Sequence, residues 1–275
     1  MLTEKELFEI KTLQEICEKD GGFDLKLNFD MLKNRTKNQK EDFFHYEDDQ
    51  LVGFLGTYSF GNKVEICGMV HPDYRRKGIF TKLLELGLEA SSNNEIETIL
   101  LNAPTESQTA KEFLKNLPCT YSIAEYQMKW HSMELHEDSS VSIRLSESAE
   151  DWEALIELEV LGFGLTENEA REMNKNIKDS GGDQNIIIEA EGKTVGKMRV
   201  SDSNGEAWIY GFTIFPELRG KGIGRKALSK VVMMENEKGL PIFLEVEARN
   251  AHALGLYESC GFRTYHSQDY YLYQK

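Results

Sequence analysis

Cysteine is scarce in this chain: Cys17, Cys67, Cys119 and Cys260 are scattered over 275 residues with no paired spacing. That excludes a disulfide framework and the close ligand pairs of a zinc site, so no metal is expected and buried free thiols are. Long hydrophobic runs are missing too, since no stretch reaches the ~20 apolar residues that span a bilayer. The start, Met1-Leu2-Thr3-Glu4-Lys5-Glu6, lacks the basic and apolar regions of a secretory signal. The expected location is the cytoplasm. Basic residues are outnumbered, 32 Lys and Arg against 47 Asp and Glu, for a net charge of -15. Such a balance opposes nucleic acid and anionic membranes, whose affinity rests on clustered cations. It suits a cationic amine, although acidity also serves solubility alone.

What the chain does contain is a glycine-rich turn, Arg219-Gly220-Lys221-Gly222-Ile223-Gly224. It follows the strand-like run Ala207 to Phe215, closed by Pro216, and precedes a helix on which Leu228, Val231 and Val232 recur at helical spacing. Three glycines let the backbone turn tightly, so that the first amides of the helix converge on an anion at the positive end of its dipole. Arg219, Lys221 and Arg225 add cations around the same spot. The plainer alternative is a tight strand-to-helix connection with solvated basic residues. A Walker loop is excluded because Lys221 is followed by Gly222 and not by Ser or Thr. A dinucleotide fingerprint fits poorly, since the motif lies late, after several strands.

Strand, proline and Arg-x-x-Gly-x-Gly opening a helix together resemble the acyl-CoA loop of the GCN5-related N-acetyltransferases. A second stretch extends the resemblance: the strand-like Pro241 to Glu247, then Asn250, Ala253, Tyr257 and Gly261-Phe262. It is similar to the other signature of that family. The structural alternatives for these residues are a helix cap at Asn250, an amphipathic core residue at Tyr257 and a C-cap at Gly261.

The chain also repeats itself. Pro72 and Pro216, Arg75 and Arg219, Lys77 and Lys221, Gly78 and Gly222, and Ile79 and Ile223 all differ by 144 in number. The preceding strands match as well, Leu51 to Ser59 with Thr194 to Ser201 and Val64 to Met69 with Glu206 to Ile214, with Gly61 and Gly205 marking equivalent hairpin turns. This period suits a duplicated domain. The resemblance implies two tandem domains of α/β class, each a twisted mixed sheet of about seven strands flanked by helices. The domains are expected at 1–135 and 140–275, with the polar stretch His131 to Ser140 as linker. An internal pseudo-dimer of this kind suits a monomer or a weak homodimer.

The halves differ where chemistry is expected. Phe80 takes the place of Gly224, putting a bulky ring where the family has a small residue beside the pyrophosphate. Ser107, Ala110 and Leu114 stand for Asn250, Ala253 and Tyr257, and leucine has no proton to give. The first half therefore reads as a degenerate copy. For the second half the resemblance implies acetyl-CoA as co-substrate, its pantetheine arm bonded to backbone groups of Phe212, Thr213 and Ile214. The pyrophosphate is expected on the amides from Arg219 through Gly220, Lys221, Gly222, Ile223 and Gly224 to Arg225, with Asn250 as a cap or cofactor contact. Tyr257 is the expected proton donor to the leaving thiolate, and Glu206 the expected base through water, with Glu245 and Glu247 as alternatives. The implied activity is acetyl transfer to a primary amine of a small molecule by direct attack. The alternative is a tandem protein that senses acyl-CoA or presents a partner surface without turnover. Tandem members of the superfamily that act on a hydroxyl, an aminoglycoside or a thiol-sugar conjugate resemble the chain too.

Overall fold

The computed structural model of the protein describes residues 1–35, 40–92, 96–180, 183–203 and 205–274. The chain divides into two compact units, Met1–Glu125 with His266–Lys275 as unit 1, and Tyr126–Tyr265 as unit 2. Among the described residues no helix is long and apolar enough to cross a membrane, which says nothing of a β-barrel.

Unit 1 runs α1 (Glu4–Gly21), α2 (Phe29–Lys33), β1 (Asp42–Glu47), β2 (Gln50–Phe60), β3 (Lys63–Val70), α3 (Ile79–Ala90), β4 (Thr98–Pro104) and α4 (Gln108–Leu114). Strand β5 (Cys119–Trp130) begins there and ends in unit 2. Unit 2 continues with β6 (Val141–Leu145), α5 (Ala149–Phe163), α6 (Glu167–Ser180), β7 (Asp183–Ala190), β8 (Lys193–Ser203) and β9 (Glu206–Ile214). It closes with α7 (Ile223–Glu237), β10 (Ile242–Glu247) and α8 (Ala251–Ser259). The last strand, β11 (Phe262–Tyr273), starts in unit 2 and crosses into unit 1, where Gln268 to Leu272 pair antiparallel with β4.

The units therefore do not part at residues 135–140. Each takes the second half of a long strand that begins in the other, which a local pattern of apolar residues does not announce. The polar stretch after His131 belongs to unit 2 and is held on α7, Asp138 by Lys226 at 2.8 Å and Glu137 by Lys230 at 2.7 Å.

Strand order is β1-β2-β3-β4-β11 in unit 1 and β5-β10-β9-β8-β7-β6 in unit 2. In each unit a parallel pair, β3 with β4 or β9 with β10, adjoins an antiparallel one, β2 with β3 or β8 with β9. The first helix of each unit is framed alike, by a capping box at Thr3 or Ser148 and a left-handed Gly22 or Gly164 at its C-terminus. Hairpins close at Phe60↔Lys63 and Ser203↔Glu206. Gly61 thus opens its turn whereas Gly205 closes its own; both have positive φ, but they are offset by one residue and not equivalent. Asn204 lies outside the described residues.

Alternation along each strand divides the core. In unit 2, Ala207, Ile209, Ile242, Leu244 and Val246 pack under α7 and α8 with Leu228, Val231, Val232 and Tyr257. The other face carries Trp208, stacked with Tyr210 and Phe243, and Lys197, which meets Glu159 of α5.

Asp151 joins β6 to α5. Arg144 lays Nη1 and Nη2 on its carboxylate at 2.7 Å each, and the amides of Glu147 and Ser148 donate to it at 3.0 and 3.1 Å. The Arg144 hydrogen bonds, ahead of the two amides, hold this carboxyl well below the usual range. A depressed acid contributes its stability above the unfolded value near 4 and loses it as pH falls further. Asp151→Asn is expected to cost about 1–3 kcal/mol at neutral pH in urea unfolding. The gap to the parent chain should narrow in acid; a gap that stays constant would assign the loss to packing.

Candidate functional site

Parallel pairing of β9 and β10 runs through Ala207, Trp208 and Ile209 against Ile242, Phe243 and Leu244 and stops there. Both strands continue, β9 to Ile214 and β10 to Glu247, so a gap opens between them. Within it β9 is bulged. Arg199 pairs with Tyr210 but Lys197 with Thr213, so Gly211 and Phe212 together face Met198. Gly211 has φ +55, which suits glycine and the extra residue of a bulge. An isolated glycine inside the run was the one sequence signal for this feature. Beyond the bulge, Thr213 and Ile214 remain laddered to β8, leaving their other edge toward the gap.

The connection to α7 is built from backbone. Gly220 and Gly222 have φ +76 and +81, and Gly222 caps the helix without any side-chain bond. Among the described residues, the amides of Gly220, Lys221, Gly222, Ile223, Gly224 and Arg225 donate to no acceptor within the chain. Six donors at the positive end of a helix make a cradle for a polyanion. Gly224 is needed for closeness and not for φ: a Cβ there would stand 3.3 Å from Leu256 and 3.4 Å from the Phe212 ring.

Of the cations expected at the loop, Arg219 has another role. Its Nε donates to the Ile214 carbonyl at 2.9 Å and its Nη2 to Thr213 Oγ1 at 3.3 Å, tying the turn back to β9. Lys221 and Arg225 are exposed and, among the described residues, have no ion-pair partner. Asn250 caps α8, its Oδ1 accepting from the Ala253 amide at 3.1 Å.

Tyr257 reaches the gap from α8. Its ring lies 6.4 Å from that of Phe212 and 6.2 Å from that of Phe262, and the side chain is buried. Burial pushes its phenol up to about 12, and among the described residues the hydroxyl has no hydrogen-bond partner. Glu206 is not brought near it. It stands at the first position of β9, accepts from the Trp208 indole at 2.9 Å, and lies roughly 20 Å along the strand from Phe212 at ~3.3 Å per residue. Period-2 alternation tells which face a strand residue takes and nothing of where the ladder ends. Glu245, in contrast, is the first residue of β10 past the last pair, with its Oε1 accepting from Gln127 Nε2 at 2.8 Å.

Unit 1 repeats the frame with other side chains. Pairing of β3 with β4 stops at Ile66↔Leu101, and Arg75 Nε ties its loop back to the Val70 carbonyl at 3.1 Å. Gly78 (φ +76) caps α3, and Arg76 takes the left-handed position of Gly220. Phe80 does not stand over this loop. Its ring packs against Gly68 and, edge to face at 5.2 Å, against Phe113. Gly68, Phe80 and Phe113 thus fill the place that Phe212, Gly224 and Leu256 fill in unit 2, with the bulk moved from strand to helix. The cations differ too, since Arg75 is paired with Asp20 at 2.7 Å, Arg76 with Glu112 at 3.7 Å, and Lys77 lies over Tyr74. Among the described residues no cluster of His, Cys, Asp and Glu is suited to a metal ion.

The Acetyltransferase (GNAT) family model matches residues 6–117 and 152–262. A comparison with curated proteins found no match. Solved structures are similar in fold over nearly the whole chain. A GCN5-related N-acetyltransferase from Sphaerobacter thermophilus has a TM-score of 0.80 at 17% identity, covering 98% of this chain and 93% of that one. A tandem GNAT protein from the clavulanic acid biosynthesis pathway, without AcCoA, scores 0.72 at 14% identity, covering 98% and 94%. A putative acetyltransferase from Pyrococcus horikoshii scores 0.66 at 16% identity, covering 98% and 87%.

Both loops keep open amides, but Arg75 and Arg76 are ion-paired whereas, among the described residues, Lys221 and Arg225 are not, so Gly222→Glu is expected to remove most acetyl-CoA binding in titration calorimetry. It sets a side chain at a left-handed position and a negative charge in an anion cradle. Gly78→Glu is expected to leave the tighter site intact; the reverse ranking would move the cofactor to unit 1.

Proposed function

We propose, for a chain that belongs to the GNAT acetyltransferase family and uses acetyl-CoA, that acetyl transfer to the primary amine of a small molecule takes place in unit 2. The observation that carries this reading is Tyr257, a buried phenol with no partner among the described residues, beside Phe212 where the parallel strands have parted. Unit 1 has Leu114 at that place.

Acetyl-CoA is bound through its pyrophosphate by the amides of Gly220 to Arg225, with Lys221 and Arg225 adding charge. The pantetheine arm adds itself to the open edge of Phe212 to Ile214 as an extra strand would. The acceptor amine, once deprotonated, attacks the thioester carbon within a ternary complex; the N–C bond forms and the C–S bond breaks. The departing sulfur takes the proton of Tyr257, which solvent then restores. Glu245 takes the excess proton of the nitrogen, directly or through water. What supports Glu245 over Glu206 is its position one residue past the last β9–β10 pair. Tyr257 packs in the core under α8, while Glu245 alternates to the opposite face of the sheet. Acid and base thus flank the gap from two sides, and neither neutralises the other directly.

Tyr257→Phe is expected to keep the fold and acetyl-CoA affinity and to lower kcat by on the order of a hundredfold with the best amine found in a screen. Since the folded phenol is raised to about 12, the parent enzyme should show no loss of this acid below pH 10. Its contribution to stability is full below about 10 and is lost as pH rises through about 12. Unchanged turnover would remove Tyr257 from the reaction. Tight binding of acetyl-CoA with no transfer to any amine would favour an acyl-CoA sensor instead.

A further inference from the structure

Glu159 on α5 and Lys197 on β8 form an ion pair in which neither side chain is more than 5% exposed. The pair lies against the bulge of β9: a Cβ on Gly211 would stand 3.3 Å from Lys197 Nζ and 3.8 Å from Glu159 Oε1. Phe163, one helical turn beyond Glu159, is covered by Lys197 Nζ at 5.8 Å from its ring centre. Burial pulls the Lys197 ammonium below its ordinary range, with Glu159 opposing and Arg199, two residues along the strand, adding to the shift.

Unit 1 shows what the fold does at this place when it has no bulge. Gly53 pairs with Val70 as Gly196 pairs with Ile214, so Phe54 corresponds to Lys197. Helices α1 and α5 end at left-handed Gly22 and Gly164, and five residues before each lie Cys17 and Glu159. Cys17 and Phe54 are buried members of one apolar cluster. From the last parallel pair to these glycine-paired residues, Ile66 to Val70 in β3 is one residue shorter than Ile209 to Ile214 in β9. The extra residue and the charges therefore occur together, in unit 2 only. Stability does not ask for the charges, because apolar replacement of a buried ion pair is often neutral or favourable. Gly211 has no side chain with which to wedge itself, so its neighbours must hold it.

We propose that the Glu159–Lys197 pair is a positioning device for acyl transfer: it fixes the Gly211 bulge, and through it the Phe212 to Ile214 edge on which the thioester is presented. The inference rests on unit 2 being the transfer unit. The test is the double variant Lys197→Met/Glu159→Leu in the full chain, which gives unit 2 the apolar solution of unit 1. It is expected to unfold cooperatively and to bind acetyl-CoA within about threefold of the parent, while kcat drops about a hundredfold and KM for acetyl-CoA barely moves. Hydrogen exchange of peptides covering 209–214 is expected to speed up about tenfold. A folded double variant with parental kcat, or one that raises KM alone, overturns the proposal. If the double variant fails to fold, Glu159→Gln keeps the volume, removes the charge and is read the same way. Absence of acetyl transfer by the parent chain would count against the function itself; protection of 209–214 unchanged in the variant would then overturn the positioning role on its own.

Discussion

The site depends on the end of one short parallel ladder. Three pairs between β9 and β10 hold the strands together, and past Ile209 and Leu244 their facing backbone groups have lost the partners a sheet supplies. Unpaired backbone polar groups are costly unless something bonds them, so a parting inside a sheet is tolerated where water or a ligand can enter. Everything around it manages that break. The bulge lets β9 stay laddered to β8 while leaving β10, Arg219 ties the end of the strand to the turn, and α7 begins with its amides aimed outward. A chain segment or an extended ligand is the natural occupant of such an edge.

The duplication supplies an internal comparison that a single domain lacks. Both units keep the parting, the arginine tie and the left-handed helix cap, so these belong to the fold. Phe212 over Gly224 in one unit and Phe80 over Gly68 in the other conserve volume while changing which element provides it, the kind of exchange a packed interior accepts. What the units do not share is chemistry. A phenol, two loop cations without an ion-pair partner among the described residues, a bulge and a buried ion pair are gathered in unit 2, while unit 1 answers with leucine, two ion-paired arginines, a regular strand and an apolar cluster.

This division also explains what could be read from the sequence. The loop glycines were legible because left-handed φ and close approach admit almost no other residue, and the duplication was legible through them. The partner of a residue far along the chain was not. Glu159 and Lys197 are 38 positions apart, and nothing local marks either as buried. Arg219 was read as an anion ligand because its type fits that use, whereas its guanidinium is spent on Thr213 and Ile214. Glu206 was read as the base from its place on one of the two parting strands, but its end of β9 is the paired one, and period-2 alternation says nothing of distance from the parting. The exchanged strand ends escaped for a similar reason: β5 and β11 look like ordinary strands, and pairing partners leave no trace in a strand's own pattern.

The overall acidity gives the local arrangement its last physical consequence. With a net charge of -15, the chain as a whole repels a polyphosphate, so a loop proposed to hold one has to act at short range. Screening helps, because beyond about 8–10 Å at ordinary ionic strength the distant carboxylates are felt weakly, whereas Lys221, Arg225 and the helix amides act at contact. The same acidic field favours a cationic acceptor approaching from solvent. In the proposed reading an anion and a cation each take their own side of the parted sheet: the amides and cations at the start of α7 for one, and the Glu245 side of β10 for the other. The Tyr257 phenol, pushed up to about 12 by burial, stays neutral and adds no charge of its own to either side.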